Sequence, residues 1–96
     1  MAGFVIGQIN EISDGDAFTI YQDRAIPTLA QYGGKVVINS AKINAADGGW
    51  APATIVVVEF ESVEQAHKWY NSPEYQAVIG QRFDSSDSSV IIIDGD

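Results

Sequence analysis

Ninety-six residues carry thirteen Asp and Glu against five Lys and Arg, a formal net charge of −8, and are enough for one small domain, residues 1–96. Apolar residues at 46 % and charged residues at 19 % give the balance of a folded chain. No cysteine and a single histidine exclude disulfide frameworks, thiol nucleophiles, cysteine-held metals and any site that needs two imidazoles. So few cations also argue against nucleic acid as a partner, because phosphate neutralisation needs a basic patch.

Phe4-Val5-Ile6-Gly7-Gln8-Ile9 is rich in β-branched and aromatic residues and reads as a strand. Asn10 to Gly15 ends it, with Ser13, Asp14 and Asp16 offering helix N-caps. Phe18, Tyr21, Ala25, Leu29 and Tyr32 then recur at helical spacing. Pro27 inside that stripe is expected to kink or divide the helix, and Gly33-Gly34 to close it. Lys35 to Asn39 is a second strand, and Thr54 to Phe60 is the strongest strand in the chain. Ser62 with Gln65 has the spacing of a capping box at the start of the next helix. Ser72-Pro73-Glu74 restarts that helix, which is expected to continue from Tyr75 to Phe83. Asp84 to Ser89 reads as a polar loop, and Val90 to Asp94 as the last strand.

The order βαββαβ predicts an α+β, ferredoxin-like fold: a four-stranded antiparallel sheet with the helices on one face. Such a sheet should alternate apolar and polar residues. Ile55–Val58, Val90–Ile93 and Phe4–Ile6 are apolar in both phases. Both faces therefore need burial, which predicts a homodimer packed sheet against sheet. No apolar run approaches the roughly 18 residues of a membrane span and no basic leader is present, so the expectation is a soluble cytoplasmic protein without a membrane partner.

Several segments resemble one family. They are Tyr32-Gly33-Gly34-Lys35, Gly49-Trp50-Ala51-Pro52, Val58 to Ala66, Trp69-Tyr70-Asn71-Ser72-Pro73-Glu74-Tyr75, Arg82 and Asp94-Gly95. Together they are similar to the DUF1330 family, a domain of unknown function placed among the dimeric α+β barrels. The resemblance implies a dimer and no particular reaction. It also implies arginines near the end of the second strand, before the third and before the last. Here Asn39, Thr54 and the Ser88-Ser89 region stand in those places, and Arg82 alone matches. Either the ligand is less anionic than in relatives, or those arginines never formed a ligand site.

Three residues are candidates for polar or catalytic groups. Arg82 has the fork geometry to clamp a carboxylate, or else pairs with Glu59, Glu74 or Asp84. Glu59 interrupts the apolar third strand and shares a face with Ile55 and Val57; there it is either a general base or a strand-end residue reaching water. Tyr32 stands at the helix end before the glycine pair and offers a phenol to a pocket. Tyr21, Trp69 and Tyr70, with Tyr75, form an aromatic set that either walls a ligand pocket or fills the core. Trp50 is a dimer anchor, a pocket lid or a structural plug. His67 shares no helix face with Trp69 and is expected at the surface.

The expected function is binding of a small organic ligand between sheet and helices, with cofactor-free isomerase, lyase or monooxygenase-type chemistry available. No cofactor and no metal is assigned. The alternative is a non-catalytic dimeric structural or stress-related module with a filled core and no ligand pocket.

Overall fold

The computed structural model describes residues 2–95. In chain order the elements are β1 (Gly3–Ile12), α1 (Gly15–Gln31), β2 (Lys35–Ser40), β3 (Thr54–Phe60), α2 (Val63–Tyr70), α3 (Pro73–Gln76), α4 (Ile79–Ser85) and β4 (Ser86–Asp94). The four strands form one antiparallel sheet in the order β2-β3-β1-β4. This is the ferredoxin-like βαββαβ plan, with the second crossover divided into three short helices.

Alternation along the two central strands defines two faces. Val5 and Ile9 of β1, with Val58 and Phe60 of β3, turn toward the helices and are almost fully buried. They pack with Ala25 and Leu29 of α1, Ala66 and Trp69 of α2, Tyr75 of α3 and Ile79 of α4. The residues between them on the strands turn the other way. Ile6 lies opposite Val57 and Ile91, and Phe4 lies opposite Glu59 and Ile93. No helix covers this second face, and Ile38, Ile91 and Ile93 are exposed on it.

Helix α1 starts where Asp14 accepts a hydrogen bond from Ala17 N (3.1 Å). It runs through Pro27 as one helix, so of the two expected outcomes division does not occur. Pro27 and Asp23, whose carbonyl would accept the missing bond, both face solvent, so the orphaned carbonyl can be hydrated. The helix ends at the glycine pair, and the two glycines serve different needs. Gly33 has φ +79°, a conformation that favours glycine, while a Cβ on Gly34 would stand 2.7 Å from the Phe60 ring.

The capping box before α2 is half realised. Ser62 Oγ accepts from Gln65 N (3.1 Å), but the Gln65 side chain donates to the Tyr32 carbonyl (2.8 Å). It therefore ties the start of α2 to the end of α1. Ser72 caps α3 by accepting from Tyr75 N and donates to the Trp69 carbonyl. The expected continuous helix from Tyr75 to Phe83 instead breaks at Ala77-Val78, and α4 resumes at Ile79.

The largest departure is at the strand ends. The expected Asn10 break and the Asp84–Ser89 loop are mostly strand. β1 continues to Ile12 past a register shift, where Glu11 pairs with Asp87 and Ile12 with Ser86. Backbone pairing satisfies these polar residues; the side chains of Asn10, Glu11, Asp87 and Ser89 stay exposed, while half-buried Ser86 donates to the Arg82 carbonyl (2.7 Å), so composition alone gave the wrong reading.

Candidate functional site: an apolar cavity with a buried arginine

A cavity of about 80 Å³ lies between the sheet and the helical layer. Its floor is Val5, Gly7 and Ile9 of β1, Val56 and Val58 of β3, and Val90 of β4. Phe18, Tyr21, Ala25 and Leu29 of α1 form one wall, and Trp69, Tyr75 and Arg82 close the other. Gly7 helps to create the space. A Cβ there would make only ordinary contacts, 3.7 Å to Val56 Cβ, and would project over the floor.

Arg82 is 4 % exposed. Its Nε and Nη1 meet no hydrogen-bond acceptor among the described residues. The expected carboxylate partners are elsewhere, and the one aromatic contact is the exposed Phe83 ring, 4.9 Å from the guanidinium carbon. A charge this buried is normally paired. No carboxylate and no imidazole lines the cavity, so the lining carries a single positive charge within a chain of net charge −8.

Beside it, the hydroxyls of Tyr21 and Tyr75 bond to each other at 2.8 Å. Burial raises the pKa of Tyr21 far above the phenol range, and burial raises Tyr75 as well; Arg82 pulls both downward without overcoming it. Both phenols therefore stay protonated at neutral pH and act as hydrogen-bond donors, not bases. Two phenols hold two protons, and their mutual bond uses one. The other is left to point at a third group.

Trp69 is held in place as a wall. Its Nε1 donates to Thr28 Oγ1 (2.9 Å), which donates to the Ala25 carbonyl (2.6 Å). The indole lies 4.2 Å from the Tyr75 ring, centroid to centroid. A rigid, fully bonded wall surrounds an arginine with unused donors.

Of the residues picked from sequence, Arg82, Tyr21 and Trp69 come together here. The others do not. Glu59 does share a face with Ile55 and Val57, but that is the face without helices, so it cannot serve this cavity as a base. Tyr32 lies outside, where its hydroxyl donates to Glu74 (2.8 Å), and that bond raises its pKa. Tyr70 packs against Tyr75 and borders a shallower groove with His67 and Asn71. His67 is exposed, as expected. Trp50 is 60 % exposed in the loop between β2 and β3, away from the cavity.

Sequence reading missed Gln22 and gave Tyr75 no role of its own; Asn39, noted as standing where the resemblance implies an arginine, lines the cavity. Tyr75 is the most completely buried large side chain and packs against Tyr21 of α1 and Trp69 and Tyr70 of α2. Asn39 reaches the cavity because β2 shifts register between Val36 and Ile38. Strict alternation from Val36 would have turned Asn39 the other way.

The chain belongs to the DUF1330 family, a domain of unknown function, whose model matches residues 2–96. No curated protein matches it. Among solved structures it is similar to a Rhodopseudomonas palustris protein of unknown function, with 17 % identity, TM-score 0.78, and 96 % of this chain and 80 % of that chain covered. It is similar to SnoaB, a cofactor-independent oxygenase from Streptomyces nogalater, with 8 % identity, TM-score 0.71, and coverage of 99 % and 93 %. It is also similar to a dimeric ferredoxin-like protein of unknown function from Jannaschia sp., with 9 % identity, TM-score 0.68, and coverage of 98 % and 99 %. At these identities the likeness is one of fold.

Proposed function

We propose that this protein is a homodimeric binding protein for a small organic molecule held in the cavity between sheet and helices. The observation that carries the reading is Arg82: a nearly fully buried guanidinium with unused donors, lining an apolar cavity. A filled structural core would hold no such space and would pair or omit the charge. The cavity's existence counts against the structural-module alternative.

The same residues can stabilise negative charge developing on a ligand oxygen, through the guanidinium and the spare phenol proton. The lining contains no base. Isomerase, lyase or cofactor-free oxygenase chemistry here would therefore suit a substrate that arrives already ionised. The fold of a cofactor-independent oxygenase supports the last of these only as an architecture that can host it.

The dimer forms through the uncovered sheet face. Exposed Ile38, Ile91 and Ile93 and half-buried Phe4, Ile6 and Val57 make an apolar surface that water should not keep. Lys35 and Glu59, paired across β2 and β3 on that face, give it a polar margin. A similarly folded protein is described as dimeric, which supports a dimer here.

Native mass spectrometry of freshly purified protein tests both parts together. The expected result is a dimer, with retained small-molecule mass that is lost in Gly7→Val, whose side chain would fill the cavity floor. A monomer would remove the dimer reading. A small-organic-compound screen by thermal shift and Trp69 fluorescence, run on Trp50→Phe, would remove the binding reading if no compound shifts either signal.

A further inference from the structure

We infer that the ligand is a compact organic monoanion, a carboxylate on a short branched apolar body, whose charge is matched by Arg82. The inference rests on the ligand-binding reading above and adds the chemical class.

Charge bookkeeping sets the sign and number. One cation lines the cavity and no anion does. Arg82 is buried with Nε and Nη1 unsatisfied, so a neutral ligand would leave that charge unpaired and a cation would add to the cost. A monoanion matches the single charge, whereas a dianion would carry a second charge into an apolar wall. A carboxylate also offers a second oxygen, and the spare proton of the Tyr21–Tyr75 pair is a donor for it.

The space sets the size. A dry cavity of about 150 Å³ admits benzene, so about 80 Å³ is too small for a ring and limits the body to a short branched chain. The lining sets the character of that body. Val5, Ile9, Val58 and Trp69 offer it no hydrogen bonds, since the indole N–H is already given to Thr28.

The test is a calorimetric titration with isobutyrate, isovalerate and pivalate, each against its own primary amide, plus isobutylammonium as the cation. At least one carboxylate should bind ten-fold or more tightly than its amide, and isobutylammonium should not bind. Arg82→Met should erase the preference for carboxylate over amide. Because it removes an unpaired buried charge, it should also leave the unliganded protein at least as thermally stable as the parent. A structural arginine would instead lower the melting temperature on removal.

If Arg82→Met does not fold, Gly7→Val provides the second reading, with carboxylate binding lost and Arg82 intact. Amides that bind as tightly as their carboxylates would overturn the anion inference and leave the pocket reading standing. Silence across the whole panel would overturn the monoanion inference, with the broader compound screen deciding the pocket reading separately.

Discussion

The two faces of the sheet are built from the same residue types and solve different problems. On the helix side, Val58 and Phe60 are sealed at 3 % and 1 % exposure. One step along the strand, Val57 and Glu59 look out from a face that no helix covers. The helix side carries the unpaired charge, and the open side carries Lys35 and Glu59 as cross-strand neighbours near its edge. An apolar residue therefore has no fixed meaning in these strands. Its neighbours, two residues up and down, decide whether it joins the core or the open face.

Equal substitutions on the two faces of β3 break this comparison most sharply. Phe60→Asp places a carboxylate in the sealed core, outside the lining of the Arg82 cavity, and should cost about 3–5 kcal/mol, a large share of the roughly 5–15 kcal/mol that holds a domain. Val57→Asp should leave each subunit folded and shift the dimer toward monomer. Circular dichroism with light scattering separates the outcomes. If both variants unfold, or both remain dimeric, the two faces do not divide the work in this way.

A second test stays on the helix side and contrasts satisfied polar groups with unsatisfied ones. Thr28→Val keeps the shape but strips the acceptor from the buried Trp69 indole N–H, so it should destabilise by about 1–3 kcal/mol in urea unfolding. Arg82→Met, one wall away, should cost nothing or stabilise. The same operation, deletion of a buried polar group, thus has opposite signs depending on whether that group had a partner. Equal losses at both sites would mean that Arg82 is a structural residue.

Element order was legible because short β-branched runs are separated by stretches of helical spacing that open on capping residues. The phase of the strands was legible too: Glu59 was assigned correctly to the face of Ile55 and Val57. Which face the helices would cover was not, because Ile55–Val58 and Val90–Ile93 are apolar on both sides and contain no polar marker. That ambiguity is why Glu59 looked like a pocket base. Asn39 was hidden by a bulge that reverses the count along β2. The Ser86–Ser89 strand was hidden because its stability comes from backbone pairing to β1, which side-chain composition does not record. Arg82 was legible as a candidate by type, but its isolation from carboxylates depends on the packing of four elements.

The smallest expected effect concerns the tyrosines, and it sharpens the contrast between inside and outside. Burial raises the folded-state pKa of Tyr21 and Tyr75 above the unfolded value near 10. Below that value both folded and unfolded chains hold the phenol protons, so this contribution to stability is fully present and flat. As pH rises past about 10, the unfolded phenols ionise and the buried ones do not, so stability falls progressively. Tyr21→Phe with Tyr75→Phe should lose only about 0.5–1.5 kcal/mol at neutral pH, the worth of their mutual hydrogen bond. The double variant should then show a shallower decline in melting temperature above pH 10 than the parent. Tyr32→Phe is the control from outside: its pKa is raised by donation to Glu74, at a site open to water, so its removal should leave the steep alkaline decline in place. A double variant as alkali-sensitive as the parent would mean that the paired hydroxyls ionise in the folded protein, and that the cavity beside Arg82 is wetter than its lining implies.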